Sequence, residues 1–168
     1  MLRLRPYKRC DAAVIANWIQ DELTYQRWSA GSFGDYPLTA EKLHAYYAAE
    51  EDNGDFIPMT AIDESGAVGH LLMRFTDAEK TKLRFGFIIV DNSKRGMHYG
   101  SDMLRLAIRY AFEILKVRHI TLGVFENNGA AQKCYQSVGF RYSGSKTNKT
   151  WHILGEDWQV LGMEIENP

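Results

Sequence analysis

The chain of 168 residues has 20 Lys and Arg against 21 Asp and Glu, a formal charge of −1. That length suits one domain, residues 1–168, closed around a single core, and the balanced charge favours a small-molecule or protein substrate over nucleic acid or a membrane surface. Its two cysteines, Cys10 and Cys134, lack CxxC spacing and a neighbouring His or Cys cluster, which fits a reduced, cytoplasmic protein without a metal; no stretch approaches the roughly 20 apolar residues of a membrane span.

In chain order, Leu2-Arg3-Leu4-Arg5 alternates as a strand does, and Asp11 is placed to cap a helix with Val14, Ile15, Trp18 and Ile19 as its apolar stripe. Leu23 to Leu38 follows, rich in Tyr25, Trp28, Phe33 and Tyr36 but interrupted by Gly31, Gly34 and Pro37. It reads as an aromatic loop, a lid or a pocket wall. Thr39 then starts a second helix carrying Leu43, Tyr46 and Tyr47 on one face, ending in an acidic solvated run from Glu50 to Asp55.

Phe56 to Ile62 and Val68 to Phe75 are strands joined by the turn Asp63-Glu64-Ser65-Gly66, and Leu83 to Val90 is a third, giving an antiparallel meander. From Tyr99 the apolar residues recur at helical spacing through Met103, Leu104, Ala107, Ile108, Ala111, Phe112 and Leu115. Ile120 to Phe125 is a strand, Ala130 to Val138 a short helix ended by Gly139, and Arg141 to Ile153 and Trp158 to Ile165 return to strand spacing. Strands that first meander and then alternate with helices predict one mixed α/β sheet.

The segment Phe85 to Ser101 carries the chemistry. A strand runs through a polar turn into Arg95-Gly96-Met97-His98-Tyr99-Gly100-Ser101 and a helix start, where unpaired N–H groups and the positive end of the helix dipole favour an anion such as phosphate. Further on stands Asn128-Gly129-Ala130-Ala131-Gln132-Lys133-Cys134-Tyr135-Gln136-Ser137-Val138-Gly139-Phe140. The first region resembles the R/Q-x-x-G-x-G/A pyrophosphate loop of the GNAT N-acetyltransferase superfamily, and the second its N-x-x-A-x-x-x-Y-x-x-x-G-F segment. Both occur in order and on the proper elements, over about a third of the chain. The flavour is similar to the branch of ribosomal-protein N-terminal acetyltransferases and small-amine acetyltransferases.

That resemblance implies a GNAT-like domain, with a mostly antiparallel splayed sheet of about six to seven strands flanked by about four helices. It implies acetyl-CoA as acyl donor, without a metal. The pyrophosphate would meet Arg95, Gly96, Met97, His98, Tyr99, Gly100 and Ser101; the pantetheine arm would run along Ile88, Ile89 and Val90, with Asn128 and Ala131 nearby. His98 departs from the pattern, which has glycine there. The expectation is that the loop still works, because the rest of the pattern is intact; with helical dihedrals at His98 its ring would be accommodated pointing outwards.

Tyr135 matches the family tyrosine that donates a proton to the departing CoA sulfur; packing between helix and sheet is its other role. Where many relatives place a glutamate base, this chain has Arg84. Glu126 is the first substitute, with Asp91 and His70 behind it, or a bridging water. The acceptor pocket is expected from Trp28, Tyr36 and Trp151, with Glu22, Asp35 or Glu50 nearby to suit a cationic amine. The expected activity is direct transfer of acetyl to a small amine or a peptide N-terminus in a ternary complex. A non-catalytic acyl-CoA-binding or sensor module is the alternative, motivated by His98 and Arg84. A homodimer through exposed aromatic C-terminal strands is possible.

Overall fold

In a computed structural model that describes residues 1–144 and 149–168, the strands form one eight-stranded sheet. The elements are β1 (Arg3–Pro6), α1 (Asp11–Asn17), α2 (Glu22–Ser29), α3 (Ala40–Ala49), β2 (Phe56–Asp63), β3 (Gly66–Phe75), β4 (Lys82–Val90), α4 (Tyr99–Arg109), β5 (His119–Phe125), α5 (Gly129–Ser137), β6 (Arg141–Tyr142), β7 (Thr150–Ile153) and β8 (Glu156–Glu166). The strand order is β1-β2-β3-β4-β5-β8-β6, with β7 paired to β8. The mixed class and mostly antiparallel sheet agree with the sequence expectation. The strands number eight rather than six to seven, because the tail from Arg141 to Ile153 divides into β6 and β7, and the α-helices five rather than four.

The additional helix is α2, inside the segment expected to be irregular. The Asp21 carboxylate accepts from the Thr24 N–H at its start, and Ala30 in the left-handed region (φ 50°) ends it. The helix-breaking residues Gly31, Gly34 and Pro37 all follow this stop. Asp11 is not the cap of α1; it is the first helical residue, 3% exposed, and its carboxylate accepts two bonds of 2.7 Å from Arg5 and one of 2.8 Å from Thr60. That cluster ties β1, α1 and β2 together. Thr39 caps α3 as expected, its hydroxyl accepting from the Lys42 N–H.

Alternation along the strands builds two cores on the two faces of the sheet. Leu71 and Met73 on β3 join Met103, Leu104 and Ala107 of α4 and Tyr135 of α5, whereas Leu72 between them joins Ile15, Tyr25, Leu43 and Tyr47 of α1 to α3. Full burial of such side chains contributes about 1.5–3 kcal/mol each. Val14, read as part of the α1 stripe, is instead 39% exposed.

The central strands diverge, and this divergence positions everything that follows. β4 and β5 run parallel and pair from Lys82↔His119 to Phe85↔Leu122. Beyond that, β4 keeps its partner β3 (Ile89↔His70, Val90↔Gly69) and β5 keeps β8 (Gly123↔Gly162 to Phe125↔Val160). The register of β3 against β4 shifts between His70 and Leu72, and Phe87 opposite this irregularity has φ 48°. A bulge of this kind bends its strand and leaves ladder groups unpaired. It also turns Phe87 into the helical face, against Phe33 (4.8 Å), Tyr46 (5.6 Å) and Trp28 (5.7 Å).

Candidate active site

Two cavities open at the divergence. The larger, about 630 Å³, is lined by Phe85 to Val90 on one side and Gly123, Val124, Asn128, Ala130, Ala131 and Tyr135 on the other, and runs to Lys94, Arg95, Gly96, His98, Tyr99, Gly100 and Ser101. The smaller, about 260 Å³, shares Arg27, Trp28, Phe85, Gly86, Phe87, Gly123 and Val124 with it, and adds Arg84, Phe125, Lys149, Trp151 and Val160. The two adjoin at the gap between β4 and β5, where they share these walls.

The helix start at the far end of the larger cavity is shaped for an anion. His98 is the N-cap of α4 and its side chain makes no capping bond, so the first-turn N–H groups of Tyr99, Gly100 and Ser101 have no helical partner and face the cavity. Arg27, Lys94, Arg95, His98 and Lys133 also line it, and no carboxylate does. At Gly100 a Cβ would come within 3.3 Å of the Cys134 Sγ, so the missing side chain lets α4 and α5 approach where they flank the cavity.

His98 does not have right-handed helical dihedrals. Its φ is 65° and ψ 6°, the left-handed conformation that glycine adopts without strain. The loop therefore keeps the backbone path that the family pattern implies while carrying a ring, which is exposed. Tyr99 lines the cavity, but its hydroxyl is committed to Asp63 at 2.8 Å, and Lys94 stands 3.8 Å from the same carboxylate. Hydrogen bonds from Ser65 and Tyr99 hold the Asp63 carboxyl down at about 2, so this strut stays ionised.

Tyr135 is 8% exposed and borders the divergence. Its ring meets Phe140 edge-on at 6.3 Å, and no bond from another described residue reaches its hydroxyl. Burial, with a smaller contribution from Cys134, pushes its phenol well above the ordinary value, which favours the protonated hydroxyl. Burial likewise raises the Cys134 thiol, which disfavours the thiolate that a covalent acyl-cysteine route needs. Asn128 accepts from the Ala131 N–H at 3.3 Å, capping α5 at the cavity wall.

Several predicted residues are not brought here. Glu126 is exposed beyond the end of β5 and lines neither cavity. His70 is fully buried in the helical core against the Tyr47 hydroxyl at 2.6 Å, and burial drives it down to about 3, so it is a neutral packing group. Asp91 accepts from the Ser93 N–H and also lies outside both linings. Met97 is 57% exposed and outside the cavity lining, whereas Ile88, Ile89 and Val90 belong to it. Tyr36 packs on Tyr25 at 5.8 Å rather than lining a pocket; Trp28 lines both cavities and Trp151 the smaller. Trp158 is buried against Phe125 at 5.1 Å, whereas Trp151 is half-buried.

Sequence reasoning missed Arg27, because its helix was read as a loop. Its guanidinium is fixed by Asn127, donating to the backbone oxygen at 2.9 Å, and it borders both cavities. Glu22, Asp35 and Glu50, expected near the acceptor, line neither. His119, Glu164 and Glu166 bring potential ligand atoms within 4.8 Å of one another, but Arg141 already pairs with both carboxylates, outside both linings.

Residues 1–141 match the family model described as an acetyltransferase (GNAT) domain. Over 55 residues the chain is 36% identical to the probable spermine N(1)-acetyltransferase of Bacillus subtilis subsp. natto and to the spermine/spermidine N(1)-acetyltransferase of Bacillus subtilis. These alignments cover 33% of this chain and 36% of each relative, so it spans about a third of the length of the curated relatives it matches. In fold, 98% of the chain matches 95% of the crystal structure of spermidine N-acetyltransferase from Vibrio cholerae in complex with CoA and spermine, with a TM-score of 0.81 and 21% identity. A dodecameric structure of spermidine N-acetyltransferase from Vibrio cholerae is similar over 98% of this chain and 93% of that one, with a TM-score of 0.74 and 22% identity.

Proposed function

The chain belongs to the GNAT acetyltransferase family, and from that premise we propose that it transfers the acetyl group of acetyl-CoA directly to the primary amine of a small molecule or a peptide N-terminus. The observation that carries this reading is the gap between β4 and β5, where a basic cavity ending at a helix start shares its walls with a second, smaller cavity that we assign to the acceptor.

The residues at hand suit the donor. Arg95, Lys94, Lys133 and the free N–H groups of Tyr99 to Ser101 match a pyrophosphate, and the unpaired edge of β4 from Ile88 to Val90 matches an amide-rich arm added as an extra strand. Acetyl-CoA supplies an activated thioester. The chain supplies position, excludes bulk water with Phe85, Phe87 and Val124, and holds a proton at the Tyr135 hydroxyl for the sulfur as the carbon–sulfur bond breaks. As the amine forms its bond to carbon it gives up one proton while the thiolate takes one, so a neutral amine needs no net proton. No carboxylate or imidazole among the described residues lines the acceptor cavity; the amine proton leaves through water.

The test is release of free thiol from acetyl-CoA by the purified full-length chain against a panel of amines, with mass detection of the acetylated product. Acetyl-CoA binding in calorimetry without thiol release from any amine would overturn catalysis and leave a binding module.

A further inference from the structure

The smaller cavity is basic. Arg27, Arg84 and Lys149 line it together with Trp28, Trp151 and Val160, and no Asp or Glu does. A polyamine carries several ammonium groups and gains nothing from such a lining. Arg84 is the centre of this field. It projects from β4 on the face opposite Leu83 and Phe85, both buried in the core, and its Nη2 lies 2.7 Å from where a Cβ on Gly123 would stand. The guanidinium therefore reaches across the diverging strands, and the missing side chain at Gly123 is what admits it. Val160 closes the other side, 3.1 Å from the same point.

Nothing in the described chain neutralises this charge. No carboxylate bonds to Arg84; the neighbouring charge is another cation, Arg74, directly opposite on β3. Burial and then Arg74 both lower the Arg84 pKa, the signs of a desolvated cation without a counter-ion. The remaining cations are held in place as well. Arg27 is fixed by Asn127, with Asp21 outside both linings, and Lys149 stands over the Trp151 ring at 5.2 Å. A planar guanidinium with free N–H groups beside a cavity is the group that grips a carboxylate in a two-pronged bond.

Resting on the assignment of this cavity to the acceptor, we propose that Arg84 is an anion anchor, and that the acceptor is a small amine bearing a carboxylate near its amino group. The carboxylate pairs with Arg84 at the mouth of the passage, with Arg27 and Lys149 adding attraction, and the amine is left facing the gap between β4 and β5. A volume of about 260 Å³ suits a molecule of amino-acid size. Arg84 is a binding residue for specificity and takes no part in proton transfer.

The experiment compares acids with their uncharged twins on the wild-type full-length protein. Amino acids and the corresponding carboxamides are offered with acetyl-CoA, beside spermidine, and kcat/KM is read from thiol release. In parallel, N-acetyl-L-alanine and its carboxamide are titrated calorimetrically into the CoA-saturated protein. A charged hydrogen bond of this kind predicts a preference of about tenfold to hundredfold for the acid in both assays. In Arg84→Leu that ratio collapses towards one, and in Arg84→Lys part of it returns. Equal performance of acid and carboxamide, or a preference for spermidine, overturns the anchor. Selective binding of N-acetyl-L-alanine without thiol release from any amine upholds the anchor while overturning catalysis, so the two failures are distinct. The wild-type comparison stands even where Arg84→Leu does not fold.

Discussion

Removing one oxygen from Tyr135 separates chemistry from packing with little collateral change. In Tyr135→Phe the ring keeps its edge contact with Phe140 at 6.3 Å and its place in the α4–α5 core. The deleted hydroxyl bonds to no described residue, so its loss strands no buried partner, and stability should move by no more than about 0.5 kcal/mol. For a chain of this length that is about 1–2 °C in Tm. Donor binding rests on the α4 start, the basic side chains and the β4 edge, so the Kd for acetyl-CoA should stay within about twofold. The turnover is different. A positioned proton donor contributes about 10²- to 10⁴-fold, which is about 2.7–5.5 kcal/mol in the barrier, and all of it resides in the missing oxygen. The assay pairs single-turnover thiol release at saturating acetyl-CoA with calorimetry on the same samples. Unchanged turnover would make Tyr135 a packing residue. A loss in Kd as large as the loss in rate would show that the hydroxyl holds the donor instead.

Two further variants probe the frame that carries the site. Asp11→Ala leaves the Arg5 guanidinium without its 2.7 Å partners and Thr60 without its acceptor, so unfolding free energy in a urea titration should fall by about 3–5 kcal/mol. Burial alone would raise the Asp11 carboxyl, but the bonds from Arg5, the Lys8 N–H and Thr60 outweigh it and the pKa is lowered. A carboxyl lowered in the folded state stabilises fully above its unfolded value, near 4, and that contribution disappears as pH falls through the folded value. Wild-type Tm should thus decline below about pH 4 more steeply than that of Asp11→Ala; parallel declines would contradict the assignment. His98→Gly should raise Tm, since a left-handed residue with a Cβ costs about 1–2 kcal/mol and glycine gives back about 0.5–1 kcal/mol through its freer unfolded chain, whereas His98→Val should lower it. Equal melting of wild type and His98→Val would mean that the loop does not hold this backbone conformation in solution.

The parts of the site governed by local chemistry were legible in the sequence. Gly96, Gly100, Asn128 and Tyr135 take their positions from a strand-to-helix junction and a capped helix, and the structure gathers all of them around one cavity. What depends on distant neighbours was not legible. Glu126 is adjacent in sequence to a strand that reaches the gap, but Val124 and Phe125 are the buried residues, and Glu126, whose N–H still donates to Gln159 of β8, leaves its side chain exposed. Tyr36 belongs to an aromatic-rich segment, yet its ring is taken by Tyr25. Arg27 was hidden because three breakers clustered after Ser29 made the preceding eight helical residues read as loop, although Asp21 and Thr24 form an ordinary helix start.

The passage itself comes from competition between ladders. After Phe85 and Leu122, β4 and β5 each follow an antiparallel partner, and the shift at Phe87 removes the register that would have kept them together. The acceptor side has a separate origin. Its walls come from α2, β4, β5, β7 and β8, and among the β4 residues Arg84 decides two things. Arg84 stands near the place where the resemblance leads one to expect a glutamate, and no Asp or Glu lies on β4; the same side chain gives the cavity a positive field. A cavity that has lost its acid has also lost its attraction for polycations. The lack of an acid there and the proposed selection of a carboxylate-bearing acceptor thus meet in one residue, and the space at Gly123 is what admits its guanidinium beside the cavity.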